Sequence, residues 1–207
     1  MTTTIIGLGN MGRGLVRRLA GQTDLVVVGR NETEAADFAA GLPGVRAASL
    51  DEGIAEAETV VLAVGYDAAM ELAARPDLAG KTVVDMSNPV TPDYSGLRLG
   101  HDTSAAEEIQ KVASSAKVVK AFNTIFAGLF DAPQQVTADV PVFVASNDDA
   151  AAEKVADLIR KAGFTVENVG SLDAARLIEP LGMLNIRIGY GLARGTAIAP
   201  KWISVAA

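Results

Sequence analysis

The stretch that decides the fold is Thr2–Ala20, TTTIIGLGNMGRGLVRRLA. It reads as strand, tight turn and helix. Gly7, Gly9 and Gly12 keep G-x-G-x-x-G spacing, in which the first glycine permits the turn, the second lets backbone approach a pyrophosphate, and the third lets the helix pack closely on the sheet. The helix places Met11, Leu15 and Leu19 on one face and Arg13, Arg17 and Arg18 elsewhere. Its N-terminal amides and positive dipole end suit phosphate groups. Glycines at this spacing also mark ordinary turns, so the next elements decide the reading.

The following strand, DLVVVG, runs out into Arg30 and Asn31. A chain that holds NAD usually places Asp or Glu about twenty residues after the glycine loop, where a carboxylate binds the ribose hydroxyls. A 2′-phosphate would be repelled by that carboxylate, whereas arginine meets it with charge-assisted, forked hydrogen bonds. Arg30 therefore points to NADP(H) over NAD(H). Asn31 has two compatible readings, a phosphate contact and a helix N-cap.

Farther along, TTII, DLVVVG, TVVLAV, KTVVDMS, KVVKAF, VPVFVAS and FTVENVG read as strands separated by alanine-rich helical segments. Asn31 with Glu34 and Ser104 with Glu107 have capping-box spacing, and Gly41 and Gly163 follow helices as stops. Strands apolar throughout and alternating with helices predict an α/β, Rossmann-type, doubly wound and mainly parallel sheet. The alternation breaks at KAFNTIFAGLFDAPQQVTADV. We therefore expect an NADP-binding region over 1–124 and a C-terminal α/β extension over 125–207, packed on the first as one compact unit.

Composition narrows the chemistry. The 207 residues include 18 basic and 25 acidic side chains, a formal charge of −7, so no sequence-wide basic field recruits nucleic acid or anionic lipid. There is no cysteine, which removes thiol nucleophiles, disulfides and Cys-ligated metals, and His101 is the one histidine. We expect no metal site, and we expect His101, in the loop-like RLGHDTS, to be a surface or capping residue. No basic leader or membrane-length apolar run is visible, so a cytoplasmic protein is expected.

In an open parallel sheet, ligands bind beyond the carboxyl ends of the strands. Three more ends qualify: Ala63–Asp67, Asp85–Pro89 and Ala121–Thr124. Tyr66 offers a ring to stack on a cofactor. Ser87, Asn88, Asn123 and Thr124 offer polar groups for a nicotinamide carboxamide or a second substrate. Each has a plain alternative, such as Asp67 as a helix N-cap and Asn88-Pro89 as a turn.

The loop GLGNMGRGL, the segment SAAEEIQKVASSAKVVKAFNT, then DVPVFVASNDDAAAEKVADLIRKAGF and LIEPLGMLNI together resemble the deazaflavin-dependent NADP oxidoreductase family. The N-terminal reductase domain of the six-transmembrane metalloreductases is similar too. The resemblance implies hydride exchange between NADPH and a deazaflavin or flavin, a small-molecule electron acceptor. It puts the pyrophosphate loop on Gly9, Asn10, Met11 and Gly12 and the 2′-phosphate contact on Arg30 with Asn31. The segment after the fourth strand falls on Val64 and Gly65, and the nicotinamide-side turn on Asn123 and Thr124. The deazaflavin enzymes tend to carry a proline where this chain has VGYD and a histidine at the position of Asn123; VVKAFNT is closer to the metalloreductase version.

Hydride transfer between two bound rings needs placement and water exclusion more than side-chain chemistry, so no catalytic residue is assigned. The apolar stretch Leu181–Ile188 is expected to wall an acceptor pocket with Arg176, Glu179 and Arg187 at its rim, and the apolar C-terminus makes a homodimer plausible. Two other readings stay open. One is an NADPH-dependent reductase of a small imine or carbonyl substrate; the other is a non-catalytic NADP(H)-binding protein.

Overall fold

A computed structural model describes residues 2–205; Met1, Ala206 and Ala207, the outermost residues of the two expected regions, lie outside the described residues. Its strands are β1 (Thr2–Ile6), β2 (Asp24–Val28), β3 (Val45–Ala47), β4 (Thr59–Leu62), β5 (Thr82–Asp85), β6 (Lys117–Lys120), β7 (Pro141–Ser146) and β8 (Thr165–Asn168). They form one sheet in the order β3-β2-β1-β4-β5-β6-β7-β8. The first six reproduce the dinucleotide-binding order, with its switch point between β1 and β4. The fold is α/β, Rossmann-type and mainly parallel, as the sequence predicts.

Two details differ. The three-residue β3 escapes the sequence pattern because Val45, Arg46 and Ala47 form too short a run to show a period. The β6–β7 pair is antiparallel, with Val119 opposite Ser146 and Lys120 opposite Ala145. The irregular run after β6 holds only two single-turn helices, α6 (Gly128–Asp131) and α7 (Gln134–Thr137), and it turns the chain back instead of crossing over. Beyond residue 124 the chain therefore adds β7 and β8 to the edge of the same sheet.

The remaining helices are α1 (Asn10–Leu19), α2 (Glu32–Ala40), α3 (Leu50–Glu56), α4 (Tyr66–Ala73), α5 (Ala105–Val112), α8 (Asp149–Lys161) and α9 (Ala175–Ile186). Strand side chains alternate between two cores. Ile5, Val27, Val61, Val84 and Val119 join Leu15, Leu19 and Ile159 on one side. Ile6, Val28, Val60, Val83 and Val118 join Ile54, Ala69, Ile109 and Ile178 on the other. Burial on both faces explains the unbroken Val/Ile runs.

Arg18 corrects the expectation that it lies off the packed side of α1: it is 8% exposed. Its guanidinium donates to the carbonyls of Phe130 at 2.6 Å and Leu129 at 2.9 Å, and to that of Ala132. It thus closes the free carbonyl end of α6 against α1. Arg18→Met would strand those carbonyls, and we expect a loss of about 2–4 kcal/mol in unfolding free energy by urea titration; a loss below about 0.5 kcal/mol would refute the assignment. Helix starts also shift. Asn31 and Ser104 accept from the backbone N–H of Glu34 and Glu107, but the complete reciprocal box forms at Ser49–Glu52. Asp67 is not the N-cap of α4; Gly65 is, and Asp67 pairs with Arg98 at 2.8 Å.

Candidate functional site

At the switch point, Gly7 ends β1 with φ +103°, a left-handed conformation that glycine adopts freely. A Cβ on Gly12 would stand 1.9 Å from the Gly7 carbonyl oxygen, so α1 sits as close to the turn as a backbone without a side chain permits. Gly9 faces the other way: a Cβ there meets nothing within 4 Å. No side chain caps α1, which leaves its first-turn amides, at Asn10, Met11 and Gly12, without an intrahelical or capping partner. Met11 packs partly against the core instead of facing the loop.

Beside this loop, β2 ends at Val28 and the chain exposes Arg30. Arg30 takes part in no ion pair among the described residues, whereas its neighbour Arg13 is held by Glu34 and lies 4.6 Å from the Phe38 ring centre. Asn31 spends its side-chain oxygen capping α2 through the Glu34 N–H at 3.1 Å. Across the switch point, Val64 and Gly65 follow β4. Val64 packs on the core, and Gly65 opens α4 with nothing within 4 Å of a Cβ position.

The ends of β5 and β6 come together through amides. Asn88 Nδ2 donates to the Asn123 carbonyl at 2.8 Å, and Asn123 Nδ2 donates to Asn88 Oδ1 at 3.0 Å and to the Ile178 carbonyl at 2.9 Å. Just before Asn123, Phe122 is buried with φ +64°, an uncommon conformation for an aromatic residue. It turns the chain just before Asn123, whose amide reaches Asn88 and the Ile178 carbonyl. Ser87 Oγ, Asn123 Oδ1 and Thr124 Oγ1 are buried without a hydrogen-bond partner. These residues follow β5 and β6, and Thr59 Oγ1 at the start of β4 is likewise without a partner; buried polar atoms of this kind call for a partner such as a ligand or an ordered water.

The pattern reading missed a buried charge cluster behind these ends. Lys120 is fully buried; its ammonium donates to Asp85 at 2.8 Å and to the Ser87 carbonyl at 2.6 Å, and it forms an ion pair with Glu179 at 2.8 Å. Glu179 also accepts from the first amides of α5, Ala105 at 3.0 Å and Ala106 at 3.3 Å. Glu179 is 2% exposed and lines the cavity beside α9 from its buried side, with its carboxylate turned inward to the lysine. Asp85 and Lys120 each end a short strand directly after two valines, with opposite charges, and that pairing was the available signal. A Cβ on Gly182 would meet Asn88 Oδ1 at 2.8 Å, so α9 also touches the strand ends through bare backbone.

The outer side of α9 borders a cavity of about 310 Å3 where Arg176, Pro180 and Met183 face Leu97, Leu99 and the exposed His101. Arg176 is clamped there by Glu107 at 2.6 and 2.9 Å. Arg187, the third expected rim residue, does not border it; it opens a π-helical turn, Arg187–Gly191, after α9. No group of acidic or histidine residues among those described is spaced to hold a metal ion, and no described helix is long and apolar enough to cross a membrane.

An open glycine loop at the switch point of a sheet in this order, with polar groups at the later strand ends, defines a Rossmann-type dinucleotide-binding protein. Its relatives are specific. The family described as "NADP oxidoreductase coenzyme F420-dependent" matches residues 2–89, and the F420-dependent NADP reductase of Methanothermobacter thermautotrophicus is 30% identical over 201 residues, 88% of this chain and 86% of that protein. The chain belongs to the coenzyme F420-dependent NADP oxidoreductase family. A crystal structure from Arthrobacter sp. FB24, ascribed to an F420-dependent NADP reductase, superposes with a TM-score of 0.85 at 30% identity over 99% of this chain and 100% of that one. The metalloreductase STEAP3 of Rattus norvegicus is 34% identical over 184 residues, 87% of this chain. The chain spans 36% of that relative's length.

Proposed function

We propose that this protein transfers a hydride between NADPH and a flavin- or deazaflavin-like acceptor. The observation that carries this reading is the set of unpartnered buried atoms, Ser87 Oγ, Asn123 Oδ1 and Thr124 Oγ1, beyond β5 and β6. A carboxamide needs both donors and an acceptor, and two hydroxyls with one amide oxygen provide them. The glycine loop and the amides of Asn10, Met11 and Gly12 suit the pyrophosphate, and Arg30, with Asn31 beside it, the 2′-phosphate. Gly65 and Val64 leave room between the two halves.

Bound nicotinamide supplies the hydride chemistry. The chain's residues orient it, exclude water and hold the acceptor against it. Lys120, the buried amine behind these strand ends, is held by Asp85, the Ser87 carbonyl and Glu179. Stopped-flow NADPH oxidation with deazaflavin, FMN, FAD, riboflavin and cyclic imines tests this reading. Turnover is expected with the tricyclic acceptors. Turnover with imines alone, or tight NADPH binding without any turnover, would overturn it.

Arg30 carries the cofactor choice. With Arg30→Ala, the dissociation constant for NADPH should rise about 30-fold, the range of a lost charge-assisted contact, while that for NADH changes less than about threefold. Fluorescence titration measures both, and an equal loss for the two would remove Arg30 from the 2′-phosphate site.

A homodimer belongs to the same reading. Leu177 and Leu184 on α9 are 74% and 52% exposed, and Trp202 and Ile203 are 69% and 80% exposed, and exposed apolar side chains of this size support self-association. Sedimentation at micromolar concentration should show twice the 21.4 kDa chain mass; a monomer there would exclude it.

A further inference from the structure

Asp85 and Lys120 are the last residues of β5 and β6 and sit opposite each other in register, on the sheet face that α9 covers. The ammonium donates to Asp85 and to the Ser87 carbonyl, and Glu179 stands against it as an ion pair at 2.8 Å. Every carboxylate oxygen accepts as well. Asp85 Oδ2 takes the lysine and Oδ1 the Ser87 N–H at 2.8 Å, while Glu179 takes the lysine and Ala106 on one oxygen and Ala105 on the other. None of the four oxygens faces an acceptor that a carboxylic acid proton would need, so the hydrogen bonding describes two carboxylates and one ammonium. Lys120 and both carboxylates are buried at 3% exposure or less, and their sum is one excess negative charge.

Its position is tied to the nicotinamide-side residues. Ser87 is held at both its N–H and its carbonyl by the cluster, leaving its hydroxyl unpartnered. Asn123 stands three residues beyond Lys120, past the left-handed Phe122, and bonds the Ile178 carbonyl next to Glu179. A nicotinamide ring is neutral when reduced and a monocation once its hydride, one proton with two electrons, has passed to the acceptor. A buried negative charge near that ring acts on the two forms differently, and the low-dielectric surroundings keep it from being screened.

We propose that the Asp85–Lys120–Glu179 cluster positions the nicotinamide half of the site and, through its excess negative charge, favours the oxidised cofactor over the reduced one. This inference rests on the hydride-transfer reading. Lys120, Asp85 and Glu179 are positioning residues: they act through Ser87, Asn123 and the field, not by touching the reacting atoms. The cluster makes NADPH a stronger hydride donor on the protein than in solution.

Equilibrium titration with NADP+ and with NADPH tests this without turnover. In Glu179→Gln, which keeps the shape and removes the excess charge, the dissociation constant for NADP+ should rise about fivefold relative to that for NADPH, the order of one unit charge beyond contact range at an effective dielectric of about 20. Glu179→Asp retains the charge and should retain the wild-type ratio whatever happens to the two affinities. A merely structural role would change both constants by the same factor in Glu179→Gln, and that result would overturn the proposal. Should Glu179→Gln fail to fold, the wild type decides: NADP+ should bind it no more weakly than NADPH, and NADPH bound more than tenfold tighter would overturn the charge role. Wild-type protein that binds neither form would overturn the hydride reading too, whereas binding of both with an unmoved ratio would overturn this inference alone.

Discussion

Lys120→Met should lower the unfolding free energy by about 3–5 kcal/mol, the cost of breaking a buried ion pair from one side. Methionine fills a similar volume but leaves Asp85 and Glu179 together in the interior without a counter-charge, and it leaves the Ser87 carbonyl without its donor. Urea denaturation at neutral pH measures the loss; a value under about 1 kcal/mol would mean that the cluster is solvated or rearranged. The pH dependence has a definite sign. Burial alone would lower the lysine, but Asp85 and Glu179 outweigh it and hold the ammonium above its ordinary value of 10.5. A raised folded value gives stability that is fully present below 10.5 and declines as pH rises through the folded value. Wild-type protein should therefore lose stability in the strongly alkaline range, and Lys120→Met should not share this part of the decline.

Gly12→Ala should weaken NADPH binding at least 100-fold and cost about 2–4 kcal/mol of stability, the scale of a backbone clash in a packed core. The new methyl group would lie 1.9 Å from the Gly7 oxygen and 3.2 Å from the Ala63 side chain. Gly7 has little freedom to retreat, because its N–H is bonded to the Val28 carbonyl at 2.9 Å and a Cβ position on it already crowds Ala63. Relief must come from α1 moving away, which swings the first-turn amides off the phosphate position. Calorimetric titration with NADPH and thermal unfolding measure the two effects. Gly9→Ala is the informative contrast: open space receives its methyl group, so thermal stability should hold while NADPH affinity falls. Wild-type affinity in a folded Gly12→Ala protein would refute the packing argument.

The parts legible in the sequence were those written in local code. The alternation of β-branched runs with alanine-rich segments foretold the sheet, and the spacing of Gly7, Gly9 and Gly12 placed its turn where the structure has it. Arg30 stood out because a charge followed a strand where another charge was expected. Short or context-dependent features were not legible. β3 is only three residues long, the antiparallel return of β7 depends on how an irregular run folds, and Arg18 is buried because α6 happens to end beside it. Glu179 looked like a helix-surface charge, and its partner lies 59 positions away on a strand that reads as Val-Val-Lys.

By itself, the sequence determined that this chain is a doubly wound α/β protein with a glycine loop opening its first helix and an arginine at the end of its second strand. Those properties follow from periodicity and from backbone geometry that only certain residues permit within a few positions of one another. Only the tertiary structure decided that Asp85, Lys120 and Glu179 form one charge cluster, that Asn88 and Asn123 lock the strand ends to α9, and that Ser87, Asn123 and Thr124 are left with unpartnered polar atoms. Whether a charged or polar group is paired, stranded or solvated depends on what the fold carries to it from distant parts of the chain, and no local pattern encodes that distance.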